Sequence, residues 1–179
     1  MGYIFETAHL GVRAFATGDA ESLYANHRED AVKKWIPNEC YADMEEAMDA
    51  AAFFADCVQN GELPYVLAVV WKDTGELIGD TGINEVEGKP DEVEIGFSVC
   101  EKFSGKGYAT ELVAAMTDFV FSSMGMKVLY GRVLHGNGAS VRVLEKNGYT
   151  FIAEEYGAED DPYGQGMLVY KKEKSVPKN

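Results

Sequence analysis

The most constraining feature of this sequence is a β-strand, a pair of glycines and a helix that follow one another directly. Apolar residues occupy every second position from Val93 to Val99, which predicts a strand over Glu92–Cys100. Gly105-Lys106-Gly107 follows, and apolar residues at helical spacing then predict a helix over Gly107–Met124. The glycines allow a tight turn that leaves the amides of Gly105 to Ala109 pointing outward at the helix start. Such a helix start binds anions, and a diphosphate is the ligand we expect there.

The glycine pair alone does not identify the ligand. A Walker-type loop is not indicated, because Tyr108 follows Gly107 and no glycine stands five residues before Gly105. A Rossmann fingerprint needs a third glycine where this chain has Thr110. Taken by itself, the segment fits a nucleotide-phosphate site and a plain loop before a helix equally well.

Composition and charge exclude several classes of protein. With 16 basic and 30 acidic residues the net charge is −14, and residues 1–90 carry 6 basic against 17 acidic side chains. No basic stripe indicates nucleic-acid binding, and the acidic half favours a cationic partner. The absence of a long apolar run and of a signal-peptide pattern predicts no membrane span and a cytoplasmic protein. Three cysteines without C-x-x-C spacing and three scattered histidines predict neither disulfides nor a metal site.

The remaining pattern predicts a mixed α/β (α+β) fold in a single domain over residues 1–179. Trp35-Ile36-Pro37 is predicted to be extended or turned, because proline disfavours helix at the residue before it. Periodicity and turn residues predict the following further elements: strands at His9–Arg13, Tyr65–Trp71, Leu77–Asn84, Lys127–Leu134, Tyr149–Tyr156 and Met167–Tyr170, and helices at about Ala20–His27, Asp43–Gln59 and Ser140–Lys146.

Four segments together resemble the GNAT superfamily of acyl-CoA-dependent N-acetyltransferases. They are Leu77–Ile83, Glu94–Phe97, the loop Lys102-x-x-Gly105-x-Gly107 and the block from Asn137 to Tyr149. The loop has the family's form Gln/Arg-x-x-Gly-x-Gly/Ala, with lysine in the first place. The last block supplies Asn-x-x-Ser followed by Glu-Lys-x-Gly-Tyr. Within the superfamily, the chain looks like the RimJ/RimL branch of ribosomal-protein N-terminal acetyltransferases, over roughly residues 8–170.

The resemblance implies a GNAT fold with about four helices and a mostly antiparallel sheet that splays between the fourth and fifth predicted strands. Acetyl-CoA is expected to enter that gap as co-substrate, without a metal. The resemblance implies that its diphosphate rests on residues 105–109 and that its pantetheine arm pairs with the fourth strand. The implied coenzyme-binding residues are Ser98, Val99, Cys100, Lys102, Gly105, Lys106, Gly107, Tyr108, Ala109, Asn137 and Ser140.

Acetyl transfer to an amine needs a group that removes the amine proton. Glu94 is the candidate base, with a water relay or His135 as alternatives, and Ser140 is the candidate acid for the leaving thiolate. Asn137 and Ser140 are also suited to capping the helix that follows them. An acetyl-cysteine on Cys100 is not expected, since a buried strand cysteine is usually inert.

The expected activity is therefore transfer of an acetyl group from acetyl-CoA to a primary amine, by direct attack in a ternary complex. Trp35, Tyr24 and His27 are the candidate acceptor-binding residues, and Asp160 with Asp161 offers a further attraction for a cation. The acceptor is expected to be a cationic small amine or a protein N-terminus, and the protein a monomer or a homodimer. A non-catalytic CoA-binding module on the same scaffold remains the alternative.

Overall fold

The computed structural model describes residues 2–158 and 164–175, so Asp160 and Asp161 lie outside the described residues. Within these ranges there are eight strands and five α-helices. The strands are β1 Phe5–Glu6, β2 Leu10–Arg13, β3 Tyr65–Trp71, β4 Glu76–Val86, β5 Lys89–Val99, β6 Val128–Leu134, β7 Thr150–Glu155 and β8 Met167–Glu173. The helices are α1 Ala20–Asn26, α2 Asp30–Trp35, α3 Met44–Asn60, α4 Tyr108–Ser122 and α5 Gly138–Lys146.

The eight strands form one sheet in the order β1-β2-β3-β4-β5-β6-β8-β7, in which only β5 and β6 pair in parallel. That parallel pairing runs from Glu92 opposite Val128 to Ile95 opposite Gly131 and then stops. Both strands continue beyond this point, β5 to Val99 and β6 to Leu134, so they diverge and open the sheet. We call this opening the split. The predicted splay is confirmed between the same two segments, which are the fifth and sixth strands because β1 was not predicted.

One face of the sheet packs against α4 and α5. Side chains of a strand alternate between faces, and Val93 and Ile95 point to this one. They pack in a buried cluster with Val113 and Met116 of α4 and with Leu144 of α5. Burial of such side chains contributes roughly 1.5–3 kcal/mol each.

The other face packs against α1 and α3. Leu23 of α1 and Ala51 of α3 cover Ala68 and Val70 of β3 in a second cluster. Glu94, on β5, points to this second face because it alternates with Val93 and Ile95. The split therefore joins a face that carries α4, with the glycine loop at its start, to a face that carries the candidate base.

Helix α2 was not predicted and raises the number of helices to five. Trp35, expected in an extended or turned segment, instead ends this six-residue helix. The effect of Pro37 is confined to the residue before it, since Ile36 leaves the helix at φ −137° and ψ 58°. Pro37 then begins a short 3-10 turn over Pro37–Glu39. Apolar spacing alone cannot reveal so short a helix.

No helix in the described ranges has the length and apolar character needed to span a bilayer.

Candidate active site

The glycine loop presents free amides at the start of α4. Gly105 and Gly107 have φ of +73° and +89°, in the left-handed region that favours glycine. Gly107 is the residue before the first turn of α4, and a Cβ at either glycine would meet nothing within 4 Å. Among the described residues, the first α4 amide with a backbone acceptor is that of Glu111, which donates to the Gly107 carbonyl. The earlier amides and the positive end of the helix dipole therefore face open space, as an anion site requires.

A cleft of about 570 Å³ extends from this loop, a volume typical of small-molecule sites. Its walls come from α2, the end of β5, the glycine loop with the first turn of α4, and the length of α5. Trp35 reaches across toward the turn after β6, where a Cβ on Gly136 would lie 3.7 Å from Trp35 Cη2. The predicted residues that line the cleft are Trp35, Ser98, Val99, Gly105, Gly107, Tyr108, Ala109, Asn137 and Ser140.

Six predicted site residues lie outside this lining: Tyr24, His27, Glu94, Cys100, Lys102 and Lys106. Lys102 pairs with Glu76 at 2.7 Å, and Lys106 lies 5.1 Å from the centre of the Phe103 ring. Cys100 is 7% exposed, and burial raises the pKa of its thiol, which agrees with the inert role expected for it. Tyr24 accepts a hydrogen bond from Arg28 Nη1 at 3.1 Å.

Asn137 caps α5. Its side-chain Oδ1 accepts a hydrogen bond from the Ser140 amide at 3.2 Å, as the capping interpretation predicts. Both residues also line the cleft, so capping leaves them beside the expected ligand. Gly131 allows α5 to approach the sheet closely, because a Cβ there would lie 2.9 Å from Leu144 Cδ1.

Glu94 lies beside the split and is paired across it. Arg132, the β6 residue that follows the last parallel pair, donates a hydrogen bond from Nη1 to Glu94 Oε2. The side chains of Glu94 and Arg132 are 30% and 27% exposed, so both keep access to solvent. Burial raises the pKa of Glu94 above its usual range, although the charge and hydrogen bond of Arg132 act against the shift. A half-buried carboxylate with a raised pKa is a suitable proton acceptor near neutral pH.

A buried ion pair joins α1 to the sheet. His27 is 2% exposed, and its Nε2 and Nδ1 lie 2.7 Å from Asp80 Oδ2 and 2.6 Å from the Glu39 carbonyl oxygen. Both partners accept, so both ring nitrogens carry protons and His27 is a buried cation. Burial alone would lower the pKa of His27, but the charge and hydrogen bond of Asp80 outweigh it and raise the pKa to about 9. His27 is therefore too buried to line the cleft itself.

Asp80 is a site-region residue that sequence reasoning missed. Its Oδ2 also accepts a hydrogen bond from Ser98 Oγ at 3.1 Å, so the ion pair reaches the lining of the cleft. The available signal was a lone carboxylate within the otherwise uncharged run Leu77–Ile83. A buried carboxylate is normally paired with a cation or a hydrogen-bond donor, but this segment of sequence does not identify the partner of Asp80.

The model of the GNAT acetyltransferase domain family matches residues 9–150. The chain belongs to the GNAT acetyltransferase family. It is 29% identical over 150 residues to the uncharacterized N-acetyltransferase YoaA of Bacillus subtilis (strain 168), with 82% of each chain covered. The predicted family, fold class and N-acetyltransferase activity at the level of the family are thereby confirmed.

Two solved structures share the fold of this GNAT protein. The ribosomal L7/L12 alpha-N-protein acetyltransferase RimL, solved in complex with coenzyme A, has a TM-score of 0.80 at 17% identity, covering 95% of this chain and 97% of RimL. A spermidine N-acetyltransferase SpeG chimera from Vibrio cholerae and hSSAT has a TM-score of 0.76 at 18% identity, covering 93% and 96%. At these identities the likeness establishes a common fold.

Proposed function

We propose that this GNAT protein transfers the acetyl group of acetyl-CoA to a primary amine by direct attack in a ternary complex. The observation that carries the proposal is the split in the sheet. It lies between a loop of free amides on one side and the carboxylate of Glu94 on the other. A thioester bound along the cleft can reach an amine at Glu94 only where β5 and β6 part.

The residues of the cleft fit coenzyme A. The amides from Gly105 to Thr110 suit its diphosphate. Lys102 and Lys106 are proposed to add positive charge there, which requires them to leave their contacts with Glu76 and Phe103. The diverging end of β5, from Ser98 to Val99, offers main-chain groups to the pantetheine arm, and the proposed set extends to Cys100. Asn137 and Tyr108 also line the cleft.

The reaction requires few chemical groups from this chain. Acetyl-CoA supplies an acetyl group already activated as a thioester. Glu94 accepts the proton of the acceptor's ammonium, which frees the nitrogen lone pair to form the new C–N bond. Main-chain N–H groups at the opening of β5 stabilise the negative charge that develops on the carbonyl oxygen. As the C–S bond breaks, Ser140 donates its hydroxyl proton to the departing sulfur. The attacking nitrogen loses its second proton at the same stage, and this proton passes through solvent to restore the Ser140 hydroxyl.

We propose a cationic acceptor, either a polyamine-like small molecule or a protein N-terminus. The net charge of −14 attracts cations, and neighbours of the same fold act on a ribosomal-protein N-terminus and on spermidine. Trp35 and Tyr24 are proposed to contact the acceptor, and His27 to act through the segment that it fixes. We place the chain in the RimJ/RimL branch, as one cytoplasmic domain over residues 1–179 that is a monomer or homodimer.

The proposal is tested by thiol release from acetyl-CoA against a panel of polyamines, aminoglycosides and N-terminal peptides. We expect release of CoA that depends on the amine for at least one class of the panel, with formation of the acetylated amine shown by mass spectrometry. A thermal shift with CoA is measured in parallel. Stabilisation by CoA without turnover of any amine would contradict the enzymatic proposal and favour a non-catalytic CoA-binding module.

A further inference from the structure

Arg132 occupies the point where the sheet opens. Gly131 is the last β6 residue paired with β5, and Arg132 follows it. Its Nη1 donates across the split to Glu94 Oε2. On its other side, Nε and Nη2 donate to Glu155 Oε2 and Oε1 of β7 at 2.8 Å and 3.4 Å. One guanidinium is therefore shared between two carboxylates on different sides of the split.

The sharing is unequal. Glu155 receives two hydrogen bonds from the planar fork of the guanidinium, whereas Glu94 receives one, on a single oxygen. Glu155 is also the more open carboxylate, with its side chain 50% exposed against 30% for Glu94. The second oxygen of Glu94 is thus left for an incoming ammonium while Arg132 still balances the charge of the first.

We propose that Arg132 is a positioning residue that keeps Glu94 ionised and directed across the split, and that Glu155 limits how tightly Arg132 holds it. The inference rests on the proposed role of Glu94 as base. A base must be deprotonated before the acceptor arrives, and it must also be free to take a proton. A guanidinium bound to Glu94 alone would keep Glu94 deprotonated, but it would also make Glu94 a poorer proton acceptor.

The electrostatic influences that the geometry places on Glu94 agree in sign with this arrangement. Burial raises the pKa of Glu94, the charge and hydrogen bond of Arg132 lower it, and the charge of Glu155 raises it again. The other titratable side chains on this face come from both sides of β5. They are Asp80, Glu92, Tyr130 and Lys171 from the strands, with His27 at the end of α1 and Glu39 from the Pro37–Glu39 turn. None of these residues is changed in the Arg132 and Glu155 variants.

The experiment follows the carboxyl carbon of Glu94 by ¹³C NMR as a function of pH, in the full chain labelled with ¹³C-glutamate. The Glu94→Gln variant identifies the resonance. In Arg132→Gln we expect the pKa of Glu94 to rise by about one unit or more, because an adjacent opposite charge favours the ionised form. In Glu155→Gln we expect it to fall, since Arg132 then binds Glu94 alone. Arg132→Lys retains a cation and is expected to restore most of the effect.

Lys72→Gln is the matched control, because it removes one cation from a distant pair with Glu6 and should leave the Glu94 titration unchanged. An unchanged titration in Arg132→Gln, or a rise in Glu155→Gln, would overturn the inference. If Arg132→Gln does not fold, the double variant with Glu155→Gln keeps the net charge and is still expected to raise the pKa.

The same titrations separate this inference from the proposed function. If the NMR pKa moves and the acidic limb of the pH–rate profile for amine acetylation moves with it, both stand. If the NMR pKa moves while the profile does not, Glu94 is not the base, but its control by Arg132 remains.

Discussion

Gly107 combines two requirements that no other residue type meets at low cost. It adopts φ of +89° before the first turn of α4, and it leaves the space in front of the helix amides open. We predict that Gly107→Glu weakens acetyl-CoA binding at least tenfold in isothermal titration calorimetry, because the side chain fills that space with negative charge.

Gly88 provides a matched control for this substitution. It lies in the turn between β4 and β5 with φ of +72°, and a Cβ there also meets nothing within 4 Å. Gly88→Glu therefore carries a similar backbone strain and the same charge away from the cleft. Equal affinities for Gly107→Glu and wild type, or an equal loss in Gly88→Glu, would contradict the assignment of the loop.

Glu94 carries a prediction about the pH dependence of the reaction. A base must be ionised, so activity should fall as the pH drops through the raised pKa of Glu94. We predict that Glu94→Gln lowers kcat by roughly 10²- to 10⁴-fold and removes this acidic limb from the profile. Glu92→Gln is the control, since Glu92 shares the strand face but is held by Lys89 and Tyr130. Superimposable profiles for wild type and Glu94→Gln would leave proton removal to a water relay or His135.

At the scale of single residues, the sequence predicts those features that depend only on residues close together in the chain. The left-handed glycines of the loop and the Asn137 cap follow from residue types at fixed spacings. The contact between His27 and Asp80 joins residues 53 positions apart, and no local pattern encodes it. The pairing of Glu94 with Arg132 is hidden for the same reason.

At the scale of elements, the His27–Asp80 pair holds α1 on β4 and the Pro37–Glu39 turn on α1. Since the pKa of His27 is raised to about 9, its charge stabilises the fold fully below its ordinary value near 6.5, and this contribution is lost as the pH rises through 9. We predict a loss on the order of 3 kcal/mol in the free energy of unfolding over that window, measured by urea denaturation.

The His27→Gln variant tests the source of this pH dependence. It should be less stable at neutral pH, because Asp80 is left buried without its cation, and its stability should vary little from pH 6.5 to 9. His135→Gln removes a histidine whose side chain is 45% exposed and serves as the control. A wild-type stability that does not decline over this window would show that His27 is not a buried cation.

Strands and helices with a clear periodic pattern of apolar residues were predicted closely. Elements that are fixed by tertiary contacts were not. Strand β5 and helix α4 have long alternating or helical apolar patterns, and the structure has them within a few residues of the predicted bounds. Helix α2 spans six residues and is held in part by Glu101, whose Oε1 accepts from the Ala31 amide at 3.2 Å. The two-residue strand β1 exists only as a partner of β2.

At the scale of the whole molecule, the net charge of −14 opposes compaction. Surface ion pairs contribute little to the free energy of unfolding. Salt screens both these attractions and the overall repulsion, so we expect the loss of repulsion to dominate. We predict that 0.3 M NaCl raises the melting temperature at pH 7 by a few degrees in differential scanning calorimetry. Near the isoelectric point of about 4.6 the same salt should have little effect. A fall in melting temperature at pH 7 would show that ion pairs outweigh the repulsion.

The proposed reaction requires the split between β5 and β6 to be the passage through which acetyl-CoA reaches its acceptor. A crystal structure of the chain with acetyl-CoA tests this most directly. We predict the diphosphate on the amides of residues 105–109, the pantetheine arm beside Ser98 and Val99, and the thioester in the split toward Glu94. A structure with acetyl-CoA bound elsewhere, or with β5 and β6 closed over an empty split, would contradict this route.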